Sequence, residues 1–205
     1  MASSPYRIML TPAPAALSRE LVRGHLYTTV AARDAEGDYA PITEAEIGLS
    51  PLSRDELFEL ALSDLRRSAM RADLRAVDTL PGLYLYVARD GLAASRMALL
   101  EDLIDTSGLG GAVVAVPSPE QLLCVPLDSA HALDTLQVLA SALGHALDTV
   151  DEPLSDQLFW FDGTKWIPLA VIHGEEEVTV LPTPAFVRTM NRLAAMDLVR
   201  VAGEA

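Results

Sequence analysis

The residue types best suited to chemistry fall in one short segment, Asp90-Gly91-Leu92-Ala93-Ala94-Ser95-Arg96. A carboxylate, a hydroxyl and a guanidinium at the start of an apolar-periodic stretch could hold an anion against the free N–H groups of a helix start. The plainer reading is structural: Asp90 caps the helix or its turn, and Arg96 pairs with it across about one and a half turns. A second cluster, the aromatic run Gln157 to Leu169, holds both tryptophans and two of the four phenylalanines. There Trp160, Lys165 and Trp166 are the residues expected at an interface. Other chemistries find little support. Histidines 25, 131, 145 and 173 form no His-x-x-x-His pair and there is no Cys-x-x-Cys, so no metal and no cofactor are expected. Cys124 lies in the apolar run Gln121-Leu122-Leu123-Cys124-Val125, without a nearby cation to stabilise a thiolate, and reads as an inert core thiol. No Gly-x-Ser-x-Gly turn is present. Gly108-Leu109-Gly110-Gly111 precedes a strand, lacks the Lys-Ser/Thr of a phosphate loop, and reads as a helix end and turn.

These candidates need elements to position them. Met1 to Ala16, with three prolines, reads as an irregular arm. Leu26 to Val30 and Tyr39 to Ile42 flank a polar turn and predict a hairpin. Ser53 and Glu56 form a capping box, opening a helix with Leu57, Leu60, Ala61 and Leu65 on its buried stripe. A second hairpin, Leu74 to Leu80 and Leu83 to Ala88, turns at Pro81-Gly82. A helix follows from about Leu92 to Thr106, with Ala93, Met97, Leu100 and Ile104 on one face. Ala112 to Val116 and Gln121 to Leu127 are strands split by Pro117-Ser118-Pro119. The next helix, capped by Asp128 or Ser129, carries Leu133, Leu136, Ala140, Leu143 and Leu147. Asp162-Gly163 predicts a tight hairpin turn, pairing Phe159 with Trp166 and Trp160 with Lys165. That pairing puts Phe159, Phe161 and Trp166 on one face and Leu158, Trp160, Lys165 and Ile167 on the other. Both faces are apolar, so one must meet the core and the other a C-terminal helix or a partner. Thr183-Pro184 starts that helix, with Val187, Met190 and Ala194 expected to pack. Hairpins separated by single helices predict an α+β fold, its sheet largely antiparallel and covered by three or four helices. The chain reads as one domain with a weak division near residue 50.

Asp90-Gly91-Leu92-Ala93-Ala94-Ser95-Arg96-Met97, followed by Val113-Val114-Ala115-Val116-Pro117-Ser118-Pro119-Glu120-Gln121-Leu122-Leu123, resembles the YtpQ-like family, a bacterial domain of unknown function. Leu52 to Leu60 and Pro153-Leu154-Ser155-Asp156 look similar as well, so the resemblance covers roughly residues 50 to 170. The chain departs from the family pattern at Pro119-Glu120, where an Arg-Asp pair is expected. The resemblance implies an α+β fold and the bacterial cytosol, and it brings no activity with it.

The 205 residues carry 15 Lys and Arg against 29 Asp and Glu, a formal charge of −14, and 50% of them are hydrophobic. That is too apolar for intrinsic disorder. Lys165 is the only cation between Met97 and Val187, against 14 acids, so this half would repel a phosphate backbone. Nucleic acid and membrane are therefore not expected as partners. A single cysteine fits a reducing compartment, no apolar run reaches the ~20 residues of a membrane span, and Met1 to Leu10 lacks the order of a signal peptide. A cytoplasmic protein is expected. With no nucleophile, metal cluster or phosphate loop in the sequence, the leading expectation is a non-enzymatic interaction or regulatory module, binding a protein or itself. The alternative is an undescribed enzyme of hydrolase type using Asp90, Ser95 and Arg96. A pocket into which those three converge would favour the enzyme, and their use in capping would favour the module.

Overall fold

Local hydrogen bonding starts the first helices. The computed structural model describes residues 5–34, 37–68, 74–86, 88, 91–104, 110–174 and 178–203. Thr43 and Glu46 form a reciprocal capping box at the head of α1 (Glu44–Leu49): the Thr43 N–H donates to Glu46 Oε2 at 2.8 Å, and the Glu46 N–H donates back to Thr43 Oγ at 3.3 Å. Ser53 and Glu56 repeat the device at α2 (Arg54–Ser68), with Ser53 N–H to Glu56 Oε2 at 2.7 Å. These bonds to Thr43 and Ser53 hold both glutamates below the usual carboxylate range. Leu57, Phe58, Ala61 and Leu65 are the buried face of α2.

That face lies on a four-stranded antiparallel sheet of β1 (Tyr6–Thr11), β2 (Ser18–Val22), β3 (Leu26–Arg33) and β4 (Tyr39–Pro41), with β3 at its centre. The presumed irregular arm therefore contains a strand. Six consecutive residues of β1 pair with β3, and Ile8 and Leu10 alternate inward from it. The expected β3–β4 hairpin forms: Asp34 Oδ1 accepts the Gly37 and Asp38 N–H groups, each at 2.8 Å.

The larger sheet has seven antiparallel strands in the order β11-β10-β9-β7-β8-β6-β5. These are β5 (Leu74–Ala76), β6 (Tyr84–Tyr86), β7 (Ala112–Ala115), β8 (Leu122–Pro126), β9 (Leu158–Phe161), β10 (Trp166–His173) and β11 (Val178–Leu181). Strands β7 and β9 are adjacent and buried along their whole length, which explains why they are apolar at every position. One face, with Val114, Cys124, Phe159 and Phe161, packs on Leu10, Val22 and Leu26 of the smaller sheet and on a 3-10 helix (Ala93–Leu99) that leads into α3 (Leu100–Leu103). The opposite face, with Val113, Val125, Trp160 and Leu169, is covered by α4 (Ala132–Leu147) and α5 (Pro184–Gly203). The fold is α+β, with antiparallel sheets packed against helices.

Several local expectations give way to tertiary packing. Residues 93–99 are a tight 3-10 helix with every residue but Ala98 buried, so the one-faced α-helix expected there does not form until Leu100. Neither Asp128 nor Ser129 caps α4; its N-cap is His131, and the nearby Ala130 N–H donates instead to Asp197 of α5 at 2.8 Å. Leu133 is 47% exposed, while Leu139 takes its place in the core. On α5 the buried residues are Phe186, Met190 and Leu193, whereas Val187 is 41% exposed. Phe186 meets the Trp160 ring edge-on at 5.2 Å between centroids. Helix α5 does start at Thr183, whose hydroxyl accepts the Phe186 N–H at 3.3 Å.

Candidate functional site

Asp90 lies outside the described residues. Ser95 and Arg96 are 1% and 2% exposed, on the 3-10 helix. Arg96 Nη1 donates to the Leu92 carbonyl at 2.8 Å, and Nη2 donates to the Ser68 hydroxyl at 2.9 Å. Its guanidinium carbon sits 5.6 Å from the centroid of the Tyr86 ring. Ser68 belongs to α2, so Arg96 ties the 3-10 helix to the element that covers the smaller sheet. The amides of the helix start are also used: the Ala94 N–H donates to the Pro119 carbonyl at 2.9 Å and the Ser95 N–H to Leu92 at 3.2 Å. Arg96 thus acts as a buried cross-brace, and two of the backbone donors at the helix start, those of Ala94 and Ser95, are already engaged.

The aromatic hairpin divides differently. Asp162 and Lys165 face each other across a turn whose central residues are Gly163, at φ +94°, and Thr164. Asp162 Oδ1 accepts from the Thr164 N–H, the Thr164 hydroxyl and the Lys165 N–H at 2.9, 2.7 and 2.9 Å. Partial burial would raise this carboxyl, but the bonds from Thr164 and Lys165 outweigh it and hold Asp162 below the usual carboxylate range. This aspartate-centred turn moves the pairing by two residues from the expected register, so Phe161 faces Trp166 and Trp160 faces Ile167. A two-residue shift preserves the faces, and Phe159, Phe161 and Trp166 still share one side. Lys165 leaves the strand for the turn. Trp160 is 3% exposed against α5 and donates its indole N–H to the Gly110 carbonyl at 2.9 Å, so it belongs to the interior.

Lys165 and Trp166 instead border a cleft of about 670 Å³ between two hairpin turns and the 3-10 helix. Met97, Leu100 and Phe161 contribute its apolar wall, and Arg23, from the β2–β3 turn, faces the same space. Trp166 lies 5.0 Å from Phe161 between ring centroids. Across the cleft stand Glu20, which accepts the Gly24 N–H at 2.8 Å, and Glu101. No described carboxylate forms an ion pair with Arg23 or Lys165. Nothing local to Arg23 signals this position, because its neighbours in the cleft come from distant parts of the chain.

Compared with protein-family models, curated proteins and solved structures, this chain matches none. The YtpQ-like resemblance stands on the quoted motifs alone.

Among the described residues no group of three or more His, Cys, Asp or Glu is arranged to hold a metal ion, and no helix is long and apolar enough to cross a membrane. Cys124 is fully buried, and desolvation pushes its thiol up to about 12, so it stays protonated near neutral pH.

Proposed function

We propose that this chain is a non-catalytic interaction module of the bacterial cytoplasm that receives a protein segment in the cleft bordered by Lys165 and Trp166. The observation that carries this reading is the contrast between the two candidate sites. Ser95 and Arg96 are enclosed and bonded to their own fold, whereas Lys165 and Trp166 stand at an open cleft with aromatic and aliphatic walls and charged edges. An apolar anchor surrounded by polar groups is the usual anatomy of a recognition surface. The buried, protonated Cys124 is compatible with a reducing compartment.

The test is affinity capture from the source cell with three forms of the protein: native, the Lys165→Glu/Trp166→Ala double variant, and Leu198→Ser on the exposed side of α5. The expected result is a species retained by the native and Leu198→Ser forms and lost from the double variant, all three being equally folded by circular dichroism. Identical captured sets from all three would refute the reading.

A further inference from the structure

The N-terminal half of α5 runs against the ordinary electrostatic rule for helices. Its first turn contains no acid, and two cations, Arg188 and Arg192, follow in the second and third turns, one turn apart. The two like charges, four residues apart on the helix, repel each other. This arrangement occurs in a chain whose acids outnumber its cations 29 to 15. Arg7, Arg19, Arg54, Arg66 and Arg67 all have carboxylate partners, yet no described carboxylate pairs with Arg188 or Arg192. Both are exposed.

The two arginines line a groove of about 420 Å³ with Thr189 between them. The Thr189 hydroxyl makes no hydrogen bond to a described residue, so three side chains that can donate open onto one space. Trp160 forms part of the far wall, but its indole N–H is already given to the Gly110 carbonyl. Asp162, also on that wall, is ionised and anchored by its own turn. A compact anion can satisfy the α5 side, while a donor on the same ligand can face Asp162.

We propose that Arg188, Thr189 and Arg192 form a binding site for a phosphate monoester, with the phosphoryl group on α5 and a hydroxyl- or amine-bearing remainder toward Asp162. Two guanidiniums one turn apart offer more donors than the two oxygens of a carboxylate can use, whereas a phosphoryl dianion has three terminal oxygens to receive them. The dianion also relieves the repulsion between the arginines. This site lies across the sheet from the Lys165–Trp166 cleft and does not depend on the role proposed for it.

Calorimetric titration at fixed ionic strength tests the site with inorganic phosphate, O-phospho-L-serine, L-serine and acetate. Phosphate should bind in the millimolar range, O-phospho-L-serine more tightly, and serine and acetate not measurably. Arg188→Gln and Arg192→Gln should each weaken phosphoserine about tenfold. Asp162→Asn should weaken phosphoserine while sparing phosphate. In phosphate-free buffer the two Gln variants should be at least as stable to urea as the native chain, and phosphate should raise the midpoint of the native chain alone. Acetate binding as well as phosphate, undiminished binding by the Arg188→Gln/Arg192→Gln double variant, or no phosphate effect beyond that of chloride would each overturn the proposal.

Discussion

At Gly111 the backbone has φ +84°, and a Cβ there would sit 1.8 Å from the Phe161 carbonyl oxygen. No side-chain adjustment relieves that contact, because the opposing atom is backbone in the centre of the sheet. Gly163 has a similar φ of +94° but open space around it. The two positions separate conformational strain from steric exclusion. Gly163→Ala should cost about 1–2 kcal/mol, the penalty of an L-residue in the left-handed region. Gly111→Ala should cost more than about 4 kcal/mol or abolish folding, because the β7–β9 pairing must part to admit a methyl group. Urea midpoints of the two variants check this, and equal losses would mean that the backbone near Phe161 yields. Arg96 shows a different residue-scale principle. A guanidinium removed from water has to be bonded, and the Leu92 carbonyl and Ser68 hydroxyl meet part of that need while joining two elements.

Among the elements, α5 covers the face of the large sheet that would otherwise expose Leu158, Trp160 and Leu169. Its buried stripe runs through Phe186, Met190 and Leu193: Met190 packs as expected, while Phe186 and Leu193 take the places expected for Val187 and Ala194. The cap at Thr183 is the expected one, so the difference comes from tertiary packing: the side of the helix that meets the Trp160 ring contains Phe186. Phe186→Ala should therefore destabilise by about 3–5 kcal/mol, whereas Val187→Ala should change stability by less than about 0.5 kcal/mol. Thermal or urea unfolding of both variants measures the difference. A larger loss at Val187 would place the helix in the wrong rotation about its axis.

For the whole molecule, the charge is less one-sided than its total suggests. The arginine-rich N-terminal part is largely neutralised by its own folding: Arg19 bridges Asp55 and Glu59 at 3.0 and 3.1 Å, Arg54 meets Glu44 at 2.8 Å, and Arg67 meets Asp64 at 3.0 Å. Arg19 also lies over the Phe58 ring at 3.8 Å, which fixes it to the helix it bridges. In this part of the chain a polyanion would have to compete with these internal carboxylates, and Arg188 and Arg192, which no described carboxylate pairs, are too few to hold a phosphate backbone at physiological salt. The expected outcome is no mobility shift of duplex or single-stranded DNA at physiological salt. Micromolar, salt-sensitive binding would mean that the paired arginines open readily, and Arg66, which stands 3.9 Å from Asp102, would then be the first to neutralise.

Features closed within a few residues are legible in the sequence. The Ser53–Glu56 box completes its bonds within one helical turn, so sequence spacing alone defines the start of α2. The faces of the aromatic hairpin are legible for a related reason: strand alternation has a period of two, and the two-residue shift imposed by Asp162 changes every partner but no face. Thr43–Glu46 forms the same kind of box and was equally readable. What the sequence leaves open depends on residues far apart in the chain. Arg96 is a cross-brace because Ser68 arrives beside it, and β1 is a strand because β3 offers a complementary edge. Residues 93–99 tighten into a 3-10 helix between two sheets that bury them on nearly every side. The cleft of Lys165 and Trp166 likewise forms only when the β2–β3 and β9–β10 turns meet across the 3-10 helix. Short-range hydrogen bonds and periodicity are written in neighbouring residues, whereas burial and convergence are properties of surfaces that exist only after the sheets have packed.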